Sequence, residues 1–209
     1  MLFLTTATSF AQCYNRLGVS YNHDSFRDKY DYHRTDFATN GFGVEYRRGF
    51  LMSQTYPFYI ELGANANMGF YSNDDKDRYY PVKTTITAAN LQIPMDFVYR
   101  FTLNDKLIIA PYAGITFKVN LMMLERYSSE SQKYTSNYLG NHSPWGFENY
   151  EKWNRFQAGW QVGVGAQYKS YYLAVQYGMD VIPAYNSDHW SDPSTVRSNS
   201  WKVIVAYTY

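Results

Sequence analysis

The sequence predicts an all-β fold: eight antiparallel strands running up and down and closing into a transmembrane β-barrel. Three observations carry that expectation. Apolar and polar residues alternate with period 2 in eight separate segments. The connections between these segments are alternately short and long. Finally, 23 Tyr, 13 Phe and 5 Trp in 209 residues make the chain rich in strand formers, while no apolar run approaches the ~18–20 residues of a membrane helix.

The strands follow in order. In 14–22, Leu17, Val19 and Tyr21 share one face, and Arg16, Gly18, Ser20 and Asn22 the other. In 41–49, Phe42, Val44 and Tyr46 alternate with Gly43, Glu45 and Arg47. The pattern before Phe42 is ragged, and a bulge is expected there. In 58–70, Phe58, Ile60, Leu62, Ala64, Ala66, Met68 and Phe70 oppose a face that includes Glu61, Gly63, Asn65 and Asn67. In 91–101, Leu91, Ile93, Met95, Phe97, Tyr99 and Phe101 oppose Gln92, Pro94, Asp96, Val98 and Arg100. Segment 107–121 sets Ile109, Pro111, Ala113, Ile115, Phe117, Val119 and Leu121 against Tyr112, Gly114, Thr116, Lys118 and Asn120. Segments 156–168 and 171–179 repeat the pattern, with Gln161, Gly163, Gly165 and Gln176 on the polar face. The last strand reads WKVIVAYTY, with Trp201, Val203, Val205, Tyr207 and Tyr209 on one face.

Short connections are expected at 50–57, 102–106 (with Asn104 and Asp105 as turn residues) and 169–171. Long ones are expected at 23–36, 72–83, 122–155 and 181–199. Short turns at one end and long loops at the other suit a meander closed across a membrane. With an even number of strands, both termini lie at the short-turn, periplasmic end.

A soluble eight-stranded barrel turns its apolar face inward around a ligand; a membrane barrel turns it outward. The apolar face carries no charge along the middle of the last five strands. Lipid demands this, because Arg or Lys at the bilayer midplane costs ~2–4 kcal/mol. The opposite face mixes glycines with Glu45, Arg47, Glu61, Asp96, Arg100, Lys118 and Lys202. In an eight-stranded lumen the glycines make room and the charges pair, giving a polar plug. Aromatics near strand ends (Tyr14, Tyr46, Phe58, Phe70, Phe101, Phe156, Tyr168, Tyr171, Tyr207 and Tyr209) supply interface girdles. The expectation is an outward apolar face. Val205→Lys or Val162→Lys should therefore block insertion, and Gly163→Ser should be milder.

The start, MLFLTTATSFAQC, reads as a signal-peptide remnant over 1–11, with Ser9 and Ala11 placed as cleavage-site residues. The barrel domain then covers 12–209. Cys13 raises a lipoprotein reading, which Gln12 disfavours because the preceding residue should be small.

The segments LQIPMDFVYRF (91–101), APYAGITFKVNL (110–121), FQAGWQVGVGAQYKSYYLAVQYGMDVIP (156–183) and SNSWKVIVAYTY (198–209) resemble the outer-membrane β-barrel proteins of the Bacteroidetes, the PorT-like barrel family. The Ile93-Pro94 pair is the more distinctive element. Pro94 removes a ladder donor and is expected to mark a bulge or break. The resemblance implies insertion into the outer membrane, contact with its lipid, and a terminal aromatic strand read by the barrel assembly machinery. It implies no single activity.

Function is less legible. His23, His33, His142 and His189 all fall in expected loops, and no His/Asp spacing matches a metal-ligand pattern. No cofactor is expected. His189 with its neighbours Asp188, Ser187 and Ser191 gives a rim-enzyme reading, disfavoured because triad members come from separate elements. A narrow porin-like channel is the other active reading. The net charge of +1 gives no electrostatic ground for a nucleic-acid partner. The loops carry Tyr127, Tyr134, Tyr138, Trp145, Phe147, Tyr150, Trp153 and Trp190 among polar residues. Such rings suit contact with another outer-membrane or extracellular protein or a glycan, and equally suit packing over the barrel mouth. The expectation is a non-enzymatic barrel with a structural or interaction role.

Overall fold

The computed structural model describes residues 13–28, 37–53, 55–75, 82–104, 106–129, 132–137, 139, 153–187 and 194–209. They form one antiparallel sheet of β1 (Cys13–Asp28), β2 (Phe37–Leu51), β3 (Phe58–Asp75), β4 (Val82–Tyr99), β5 (Phe101–Asn104), β6 (Leu107–Ser129), β7 (Lys133–Asn137), β8 (Phe156–Tyr168), β9 (Tyr171–Asp180), β10 (Tyr185–Ser187) and β11 (Ser194–Thr208). Eight of them make the ring, in the order β1-β2-β3-β4-β6-β8-β9-β11, closed by β1 against β11 from Arg16↔Thr208 to Asp28↔Val196. β5 continues β4 past Arg100, β7 folds back on the top of β6, and β10 pairs the top of β11. The sequence-expected signal remnant, 1–11, lies outside the described residues.

The two chain ends of the barrel meet, since Asn15 and Tyr209 exchange backbone hydrogen bonds at 2.9 Å. The short turns lie at that end too: Thr208 N–H donates to Ser170 C=O and Lys169 N–H to Lys106 C=O. The β8–β9 turn is the tightest, with Tyr168 paired to Tyr171 and Lys169 at φ 54°. That is the left-handed region, which costs a residue with a Cβ.

At the other end the strands run on where loops were expected. β1 extends to Asp28, β3 to Asp75 and β6 to Ser129, while β4 begins at Val82. The alternation marked the apolar belt and not the strand length: above the belt the outward face of the ladder meets water, so Ser72, Thr85 and Ser128 pair there as readily as apolar residues. His23 accordingly sits on β1, not in a loop, with Nδ1 at 2.8 Å from Asn40 Oδ1. The other three histidines lie outside the described residues.

The expected bulges are also placed differently. β2 pairs β1 and β3 without a register shift. The shift lies between Ala89 and Asn90 of β4, opposite Met122 and Asn120, so Leu121 of β6 is the extra residue. Its effect is a change of parity, with even residues of β6 inward below it and Met123 buried inward above it. Pro94 causes no register shift, since β4 keeps one register with β6 through the Pro94↔Thr116 pair, but the expected break is there on its other side: the β3–β4 ladder stops at Leu62↔Met95 and resumes in the same register at Asn65↔Gln92.

Phe42 is 69% exposed on the barrel exterior, and Val44, Ile93, Val162, Leu173, Val175 and Val205 are exposed beside it. Rings bound this belt. Tyr21, Trp160, Tyr177 and Trp201 lie toward the long-strand end, and Tyr168, Tyr171, Tyr207 and Tyr209 at the other. Trp160 to Tyr168, and Trp201 to Tyr209, are about 26 Å apart along their strands at ~3.3 Å per residue, or roughly 20 Å along the barrel axis at a 40° tilt. No described helix is long and apolar enough to cross a membrane. Tyr14 is not part of the girdle; it shares the inward parity of Arg16, and its hydroxyl donates to Glu61.

Candidate functional site: a three-layered lumen

The inward residues fill the barrel in three layers. Nearest the short turns lies an apolar layer of Val98, Ala110, Tyr112, Tyr172, Ala174, Ile204 and Ala206, with Tyr59 against it. The rings fit because glycine stands beside them. Tyr112 pairs with Gly163, and a Cβ built on Gly163 would overlap the Tyr112 ring; a Cβ on Gly165 would likewise overlap the ring of Tyr172, which reaches it diagonally from its place opposite Gln167.

The middle layer is charged. Asp96 is fully buried and accepts from Arg47, and Gln161 Nε2 donates to both its oxygens at 2.7 and 2.8 Å. Gln176 Nε2 donates to Gln161 Oε1 at 3.0 Å, and Tyr112 Oη to Gln176 Oε1 at 3.3 Å. Arg47 also stands 3.8 Å from Glu45. Arg16 Nη2 bonds Glu61 Oε2 at 2.6 Å, its guanidinium lying 3.7 Å from the Tyr172 ring centroid. Higher up, Lys118 Nζ donates to Asp180 at 2.5 Å and to Ser198 Oγ at 3.2 Å, while Lys202 donates to Gln92. An amide relay crosses three strands, Asn22 to Asn67 at 2.9 Å and Asn67 to Asn90 at 3.1 Å. Buried charges need this degree of pairing, because one left alone costs several kcal/mol.

The upper layer is apolar again. Phe26, Ile86, Met123, Trp153, Ala184 and Val196 are buried together, with Phe37, Tyr71, Ala88, Leu139 and Tyr185 packed against them. Strand extensions supply most of these; Trp153, Ala184 and Leu139 come from the connections. The expected plug was polar throughout. Instead its polar layer lies between two apolar ones, and Val98, Ile204 and Val196, which sit on otherwise polar faces, were the signal for that.

Of the sequence-predicted lumen residues, Glu45, Arg47, Glu61, Asp96, Lys118 and Lys202 lie in the polar layer. Arg100 is half-buried at the short-turn mouth, with Nη2 2.7 Å from Gln167 Oε1 and its guanidinium 4.2 Å from the Tyr14 ring centroid. Sequence reasoning missed Arg16, Asp180, Gln92 and Ser198 as network members, although each shares a face with residues that it named. Among the predicted loop rings, Tyr127 stacks on Tyr134 at 4.8 Å across the β6–β7 hairpin. Burial pushes the Tyr134 hydroxyl pKa up, with Glu125 adding to the effect. Trp153 is not an outward contact residue: it is 8% exposed, 5.8 Å from Phe26 and 5.9 Å from Tyr185. The long connection folds this ring into the mouth because the rings of Phe26 and Phe37 offer it an apolar seat. Tyr138, Trp145, Phe147, Tyr150 and Trp190 lie outside the described residues. Among the described residues no group of three His, Cys, Asp or Glu could hold a metal ion.

Several solved structures are similar. Ail of Yersinia pestis, in complex with the heparin analogue sucrose octasulfate, is 12% identical, with 93% of this chain and 99% of that one covered and a TM-score of 0.43. Neisserial surface protein A is 14% identical over 92% and 96%, at 0.44. OprG from Pseudomonas aeruginosa is 10% identical over 94% and 95%, at 0.41. Comparison with curated proteins gives no match. The family model described as the outer membrane protein beta-barrel domain matches residues 1–208. An eight-stranded closed ring with an apolar exterior and paired charges inside is the architecture such a domain needs, and this chain belongs to that family of bacterial outer-membrane barrels.

Proposed function

We propose that this barrel acts through its surface and not through its lumen: a non-enzymatic envelope component with a structural or interaction role, its strand extensions and long connections extracellular and its short turns periplasmic. The observation that carries the reading is the layered lumen, in which two apolar layers enclose a network of paired charges. A solute path would have to break both. The stacked Tyr127–Tyr134 pair at the extended end supports a contact role, being held rigid on a hairpin at low entropic cost. Membership among the PorT-like barrels of the Bacteroidetes is part of the same proposal and rests on the strand segments that contain Ile93-Pro94 and the terminal aromatic strand.

Planar-bilayer recording tests the reading. The wild-type barrel should give no sustained conductance, and Phe26→Ala/Trp153→Ala should give at most brief openings because the charged layer remains. Steady porin-sized conductance of the wild type would overturn the proposal.

A further inference from the structure

We infer that the outer wall over β3, β4 and β6 carries a seat for one phosphorylated, multiply acylated glycolipid of the outer leaflet, with an acyl chain in a groove and a phosphate on a basic cluster above it. The inference rests on the orientation proposed above.

The groove comes first. It encloses about 590 Å³ on the lipid-facing side. Its floor is Ala66 and Ala89, two small side chains on neighbouring strands, and its walls are Phe42, Met68, Leu91 and Leu121. Ala89 faces Met68 across one ladder and Met122 across the other, and the bulge at Leu121 sets the far wall. In hydrocarbon such a hollow is filled by a flexible chain, since an empty one forfeits dispersion contacts.

The cluster fixes the kind of lipid. Lys83, Ser128 and Lys133 stand on one rung, and Thr85, Arg126 and Thr135 two residues lower. Side chains directly opposite one another share a face, so Arg126 is the diagonal neighbour of both Lys83 and Lys133, roughly 7–8 Å from each, and those two stand on one rung across β6, two strand spacings or about 10 Å apart. All three are exposed, and none forms a salt bridge with another described residue. Among the described residues the acid of that face is Asp74, opposite Lys83, which leaves the described group net positive. Three cations at this spacing repel one another until an anion sits among them, and Arg with Lys suits a phosphate. Thr85, the cross-strand partner of Arg126, lies four residues above Ala89, about 13 Å along the strand. Thr87, Met122 and Leu124 lead from groove to cluster. One molecule with a phosphate above and acyl chains below spans that gradient. A second copy of the chain fits less well, because a two-fold contact on this face would bring the two cationic clusters together.

Native mass spectrometry of the full chain, mixed in mild detergent with purified hexa-acyl lipid A, phosphatidylglycerol or phosphatidylethanolamine, tests the seat. We expect one lipid A per barrel, retained at least tenfold better than either phospholipid. Arg126→Ser/Lys133→Ser, in the water-exposed extension, should cut retention about tenfold, and Ala89→Phe should do the same with the cations intact. Undiminished retention in the double variant overturns the proposal, as does equal retention of phosphatidylglycerol. A dimer that carries no lipid and is lost in Ala89→Phe overturns it in favour of self-association. Labelling of Lys133→Cys, in a Cys13→Ser background, by an impermeant maleimide on intact cells separates the two readings. Absent labelling overturns the orientation and the seat with it. Labelling without lipid A retention overturns the seat alone.

Discussion

The Arg47–Asp96 pair is the place to test whether the charged layer holds the barrel together. Asp96 is fully buried and accepts from Arg47 and from Gln161 Nε2. Asp96→Ala removes these acceptors and leaves a buried guanidinium whose remaining anion, Glu45, stands 3.8 Å away. Breaking a buried pair from one side costs ~3–5 kcal/mol, and the hydrogen bond from Gln161 to a charged acceptor is worth a further ~1.5–3 kcal/mol, partly overlapping. Arg47→Met should cost about the same, on the order of 3–5 kcal/mol, since it strands Asp96 and Glu45 together. With both substitutions the stranded charges fall to Glu45 alone. The double variant should therefore lose less than the sum of the singles by about 2–3 kcal/mol, within the range of coupling energies for residues in one network. Guanidinium unfolding in detergent, followed through the lipid-facing Trp160 and Trp201, measures all three. The m-value should stay constant, so that the midpoints report stability. Additivity within ~0.5 kcal/mol would refute the reasoning, because it would mean that the two groups do not depend on each other.

Three further outcomes are expected. Gly163→Ser should not be mild, contrary to what the sequence suggests: its Cβ overlaps the Tyr112 ring, so overpacking should cost ~1–3 kcal/mol, and Tyr112→Val should recover most of it in the same unfolding assay. Val205→Lys and Val162→Lys, on the exposed belt, should each block assembly, read as loss of the heat-modifiable band, at a cost of ~2–4 kcal/mol near the midplane; normal folding of both would reverse the two faces. Lys169→Gly should raise stability by about 0.5–1 kcal/mol, because it relieves the left-handed turn residue; an unchanged midpoint would show that the turn carries no strain.

How far the sequence could be read depended on what each face touches. Lipid imposes a strict rule, so Val203, Val205 and Tyr207 announce both strand and solvent. The lumen imposes a weaker one, since a site there accepts whatever its neighbours leave room for. Gly163 looks like a tolerant position in the sequence and is a tight one in the fold, because its pairing with Tyr112 is set by the β6–β8 register. The strand extensions were invisible for a related reason. Val82, Thr84 and Ile86 are β-branched and fit a strand, but above the belt the outward residues, such as Lys83, Thr85 and Arg126, meet water, so the outward apolar stripe that marks the belt ends although Ile86 stays buried inward. The bulge at Leu121 had no sequence signal of its own. It follows from the parity of Met123, whose burial among Ile86 and Trp153 requires the flip.

The same difference separates what this fold fixes from what it leaves to evolution. The lumen is over-determined: Asp96, Gln161, Gln176 and Tyr112 form one hydrogen-bonded chain across four strands, so a change at any member exposes a charge or crowds a ring. A pore would need that chain opened and both apolar layers thinned, several coordinated changes with no functional intermediate. The exterior above the belt is under-determined. Arg126 and Lys133 can be exchanged without touching a lumen contact, and the β6–β7 hairpin that carries them is tied to the barrel through one edge. Specific function in such a barrel is therefore most easily built, and most easily altered, where the strands leave the membrane.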